Sequence, residues 1–206
     1  MKLSRYHAVV LRVSVIVLVC VVAFGTLFSL LPSGSGAAAR SGVTLQGVQF
    51  SLYPEQDPGA VWRFQARQVT IDPLRDENRL DDLGRGERWL HRPGEPETLD
   101  LTLRTRRLVI DQDDNLQAQE ATMYIPRDCT TLTLRSTADR PVLINQRSGY
   151  SAPYVSIDNP SIQAEYDDFT SPFDLSNVQG SQRAGATFQA SPDTVCEAGR
   201  TVPRHS

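Results

Sequence analysis

The side chains here that could do chemistry are three histidines, three cysteines and one acidic run. His7, His91 and His205 stand far apart. No two have a metal-ligand spacing, and none lies beside a candidate nucleophile, so a zinc site or histidine-based catalysis has no support. Asp111-Gln112-Asp113-Asp114-Asn115 begins like a calcium loop. Leu116 occupies the place of the required glycine and Thr122 that of the closing glutamate, so the run reads as a hairpin turn. No metal-ligating or cofactor-binding set emerges, and the chain reads as non-enzymatic. Cys20 falls inside an apolar run, which leaves Cys129 and Cys196. Two thiols in an oxidising compartment pair readily. A bridge would close a loop of roughly 65 residues, contribute a few kcal/mol and pin the tail to the domain. Two free thiols are the alternative.

The compartment is argued from the first 31 residues. Val13 to Leu31 carries no charge and is mostly Val, Leu, Ile and Phe. About 19 such residues at a helical rise span a hydrocarbon core of roughly 30 Å. Lys2, Arg5 and Arg12 precede this transmembrane helix, which places residues 1–12 in the cytoplasm and the rest outside it. The competing reading is a signal peptide cut after Ala37-Ala38-Ala39. Either way the rest is exported, and the expected location is the inner membrane with the bulk of the chain in the periplasm. Residues 32–41, with Pro32-Ser33-Gly34-Ser35-Gly36, form a polar linker.

The charge is divided unevenly. Three of the 21 basic residues precede the apolar run, leaving 18 against 24 acidic residues beyond it, a net of −6. An acidic domain of this kind argues against nucleic acid as a partner.

Residues 42–179 form the exported domain, and its organising stretch is Val61 to Asp72. Trp62, Phe64 and Ala66 alternate with Arg63, Gln65 and Arg67, the period of a strand with one buried face. Val69 and Ile71 are then apolar on the opposite parity, a slip typical of a bulge or bend. Leu101 to Asp111 repeats the pattern 39 residues on, and Leu116 to Met123 repeats it again. Val43, Leu45, Val48, Phe50 and Leu52 mark a first strand, broken at Gly47. Further strands are expected at 130–135, 142–144, 154–157 and 162–166. Residues 73–97, rich in Asp, Glu and Arg, read as a solvated charged loop in which Trp89 is a candidate partner contact. Residues 180–206 are small and polar and are expected to be disordered.

The fold expected is all-β: a sandwich or open jelly roll of repeated strands, preceded by one transmembrane helix. Trp62, Phe64, Ala66, Leu101, Leu103, Leu116 and Met123 line its inner face. They are ordinary core, or, where the sheets stand apart, the walls of a trough for acyl chains. The edge strands of an open roll are also able to pair with other chains.

The order of these features resembles the LptC family, bitopic inner-membrane proteins of lipopolysaccharide transport. A turn from Tyr53-Pro54 to Gly59 leads into Trp62-Arg63-Phe64-Gln65-Ala66, and the apolar-x-Ala ending returns at Leu116-Gln117-Ala118. The resemblance spans roughly Gly42 to Ile144. It implies a twisted β-jelly roll that takes a lipid from an inner-membrane ABC transporter and relays it to a further β-roll in a bridge. It also implies that Val43–Leu52 faces the transporter and that the last strands face the bridge. The rival expectation is an envelope adaptor with a packed core and no lipid.

Overall fold

Alternation of apolar and polar residues dominates the domain, and the computed structural model turns it into strands throughout. It describes residues 43–183, the backbone of 189–190, and 193–203. The transmembrane, cytoplasmic and linker expectations at 1–12, 13–31 and 32–41 lie outside these residues. Among the described residues no helix is long and apolar enough to cross a membrane.

Twelve strands form one antiparallel sheet. They are β1 (Val43–Leu52), β2 (Ala60–Asp72), β3 (Glu77–Leu90), β4 (Thr98–Ile110), β5 (Leu116–Ala118), β6 (Glu120–Ile125), β7 (Thr130–Arg135), β8 (Val142–Asn145), β9 (Gly149–Asp158), β10 (Ile162–Ser171), β11 (Gln179–Gln182) and β12 (Gln189–Ala190). A separate hairpin, β13 (Thr194–Glu197) and β14 (Arg200–Pro203), follows. The path runs β1-β2-β3-β4 and then divides. β5 and β8 continue one half, β6 and β7 the other, and both halves rejoin on β9.

This division explains the phase slip. Trp62 and Phe64 sit level with Leu101 and Leu103, and Leu103 pairs with Met123. Val69 sits level with Leu80 and Leu108, and Ile110 pairs with Leu116. Each long strand therefore crosses from one half-sheet to the other, and the inward parity changes at the crossing. Strands that switch sheets this way turn the corner through bulges or bends. The third copy of the repeat shows the change as a break, with Gln119 dividing β5 from β6. In β2 the irregularity belongs to the neighbour. Gln65 and Ala66 face Arg85 and Leu83, which leaves Gly84 of β3 as the extra residue.

The two inner faces share one core, from Trp62 and Leu103 in one half to Leu108, Ile144 and Phe169 in the other. Its apolar area is the main source of stability, at about 25 cal/mol per Å² removed from water.

Two expectations are corrected. Residues 73–97 are not a solvated loop, because Glu77–Leu90 is β3, hydrogen-bonded on both sides in the middle of the sheet. Its inner face is Leu80, Leu83, Gly86 and Arg88, all buried, so only two of four inward residues are apolar. Gly86 is closely packed, and a Cβ there would lie 3.2 Å from the Leu103 Cβ, a tight contact. Nor is the tail after residue 179 without structure. β11 pairs with β10, and the β13–β14 hairpin is tied down by a disulfide between Cys196 and Cys129, 67 residues apart, with Cα atoms 5.5 Å from each other. The Tyr124 hydroxyl donates to the Gly199 carbonyl at 2.6 Å, and the Thr194 hydroxyl to that of Pro160 at 2.6 Å.

Candidate functional site

The inner face comes first because the sequence points to it. Trp62, Phe64, Ala66, Leu101, Leu103, Leu116 and Met123 belong to one cluster, and the fold does bring them together. It does not leave them open. Trp62, Leu101, Leu103, Leu116 and Met123 have no exposed surface, and Phe64 and Ala66 retain 2%. The Trp62 and Phe64 rings stack with centroids 5.7 Å apart. An open trough lined by these side chains is therefore absent from this conformation. Val48, Phe50 and Leu52 of β1 are half-buried against the same cluster.

Away from the bend, the tips of the two half-sheets meet along a polar seam. The Trp62 Nε1–H donates to the Gln146 Oε1 at 3.0 Å, and the Gln146 Nε2 donates to the Asp114 carbonyl at 2.8 Å. The Glu55 N–H donates to the Asp114 carboxylate at 3.3 Å, and Arg147 donates to the Gln56 side chain. The supposed calcium run supplies part of this seam. The Asp111 carboxylate accepts the N–H groups of Asp113 and Asn115, which makes it a local turn brace. Gly149, at φ 96°, lets the β8–β9 turn press on the end of β10, where a Cβ would meet the Ser171 carbonyl at 2.3 Å.

Arg88 is the residue that sequence reasoning missed. It is 5% exposed, pairs with Asp57 and Asp100, and lies 4.0 Å from the Phe173 ring centroid. The only signal was its even spacing from Gly86 within a charged stretch. Phe173 also meets Tyr150 edge-on, at 5.1 Å. Tyr150 is 2% exposed, and burial raises its pKa far above the ordinary tyrosine value. Its hydroxyl and the Arg88 Nε are buried and have no hydrogen-bond partner among the described residues. Trp89, half-buried, donates to the Glu87 carboxylate at 3.1 Å and carries the Arg63 guanidinium over its ring at 5.0 Å.

The chain matches no protein-family model and no curated protein. The resemblance to the LptC family therefore rests on the sequence features given above.

The last candidate is the edge. β1 pairs with β2 over its whole length, from Val43 opposite Ile71 to Leu52 opposite Trp62. Among the described residues nothing pairs with its other side. Val43 and Leu45 are 59% and 43% exposed, and Ile71 across from Val43 is 38% exposed. The strand reads VTLQGVQFSL, with no charge and no proline. Natural edge strands usually carry such guards against pairing with other chains. Gly47, at φ 60°, is its one irregularity.

Proposed function

We propose that this chain is a non-enzymatic adaptor of the cell envelope: a membrane-anchored, periplasm-facing β-jelly roll whose first strand extends the sheet of a partner protein. The observation that carries this reading is β1, ten residues long, unguarded and, among the described residues, unpaired on its outer side, with Val43 and Leu45 exposed. Main-chain hydrogen bonds along such an edge supply affinity, and its alternate side chains supply specificity. As the first strand after the N-terminal segment in sequence, β1 would meet the partner that the resemblance suggests, an inner-membrane ABC transporter.

The test is a photo-crosslinker at Leu45 of the full-length protein in membranes, with Ser156, exposed on β9, as the control position. A discrete protein adduct at Leu45 and none at Ser156 is expected. Equal or absent capture at the two positions overturns the reading.

Lipid relay toward a further β-roll is the second reading. The continuity of the apolar core across both halves, beneath a mouth laced by a few polar contacts, favours it. It requires the seam to part. A crosslinker in place of Phe64 would then capture lipid, while one in place of Arg63, on the opposite face, would not.

A further inference from the structure

The same division that folds the sheet also opens it on the outside. β4 pairs with β6 through Thr102–Arg104 and with β5 through Val109 and Ile110. Residues 105–108 have no ladder partner on that side. A cleft of about 760 Å³ lies over this gap, within the size range of small-molecule sites.

Four arginines line it, Arg104, Arg106, Arg107 and Arg135, against one carboxylate, that of Glu120. The parity change explains how three of them come from four consecutive positions. Before the crossing the outward residues of β4 are even-numbered, and after it they are odd-numbered, so Arg104, Arg106 and Arg107 are all exposed. Two of the four cations are engaged: Arg107 with Asp81 at 2.8 Å and Arg135 with Glu120 at 3.5 Å. Among the described residues, Arg104 and Arg106 have no carboxylate within 4.0 Å. The Thr105 hydroxyl bridges the gap by donating to the Glu120 carbonyl at 2.6 Å, which fixes the floor between the two free guanidinium groups. This cationic cleft stands in a chain of net charge −3.

We infer that this outer cleft is a binding site for a phosphate-bearing ligand, with Arg104 and Arg106 as its principal donors. Guanidinium groups match phosphate oxygens in a bidentate way that a lone ammonium does not. Every basic residue beyond position 12 is arginine. The phosphate belongs either to a lipid headgroup or to a free anion. The site is on the opposite surface of the sheet from the inner face, so it depends on neither reading of the function.

Calorimetric titration of the full-length protein in an uncharged detergent tests it with two probes. One is inorganic pyrophosphate and the other is dihexanoyl phosphatidic acid, with dihexanoyl phosphatidylcholine as the control lipid. Binding of either probe, weakened about tenfold or more in R104Q/R106Q and unchanged in R75Q, supports the site. Pyrophosphate binding points to a soluble anion, whereas binding of phosphatidic acid alone points to a headgroup. The thermal midpoint of R104Q/R106Q checks that the fold is intact, since exposed substitutions shift stability little. Equal affinity for the two lipids, wild-type affinity in the double variant, or no binding of either probe overturns the inference.

Discussion

The two edges of the sheet are built in opposite ways. β1 is long and uncharged, and among the described residues its outer side is bare. The C-terminal edge is crowded with fastenings. β10 is covered by the short strands β11 and β12, and its exit is held under Phe173 by the buried Arg88. The β13–β14 hairpin is then bolted to Cys129. Exposed strand edges invite association, and proteins ordinarily blunt them with short strands or cover. Among the described residues one edge is blunted by several devices and the other by none, and the proposed use of β1 rests on that asymmetry.

Substitutions should separate the two edges, and the largest effect is expected at the closed one. Arg88→Ala leaves Asp57 and Asp100 facing an empty place and should cost about 3–5 kcal/mol in chemical denaturation. A loss below about 1 kcal/mol would mean that this edge is not held by the Arg88 cluster. Removing the bridge with Cys129→Ser and Cys196→Ser together should cost about 4 kcal/mol by loop-closure entropy. Hydrogen exchange should then rise across 193–203 while β1 and β2 keep their wild-type protection. Equal loosening of β1 would show that the edges are coupled.

A smaller effect concerns pH. Burial raises the Tyr150 pKa, so the fold holds that proton more tightly than the unfolded chain does. The corresponding stability is fully present below the unfolded tyrosine value of about 10 and is lost as pH rises above it. Tyr150→Phe should flatten that alkaline decline, and an unchanged slope would sink the assignment. Least of all, Leu45→Lys should move stability by no more than about 0.5 kcal/mol, because the side chain is exposed. With the crosslinker moved to Val43, the same change should nonetheless abolish the partner adduct if β1 is the working edge.

Much of the sheet was legible from period alone. The parity slip between Ala66 and Val69, read as a bulge or bend, is the level at which β2, β3 and β4 change half-sheet. β3 was not legible, because its inner face uses glycine and arginine where a pattern search looks for apolar residues. Gly86 sits closely packed against Leu103, and Arg88 is inward because two carboxylates and an aromatic face receive it. The order in 193–203 was hidden for a related reason. A short isolated hairpin has no core of its own, and its place is set by a covalent bond, by the distant Tyr124 hydroxyl donating to its Gly199 carbonyl and by its Thr194 hydroxyl donating to the distant Pro160 carbonyl. Burial of the seven inner-face residues was the other gap. Alternation says which residues share a face, but not whether the opposite sheet closes on them.

The seam has a consequence in time. Synthesis runs from the N-terminus, and β1, β2, β3 and β4 can pair as a meander as soon as they exist. The Trp62 indole, however, meets its acceptor on a residue 84 positions later. Until the later strands and Gln146 arrive, the meander's hydrophobic face is incompletely covered, and such half-built sheets aggregate. A nascent chain halted between Ile110 and Asn145 should therefore be bound by a holdase chaperone, and one released beyond Phe173 should not.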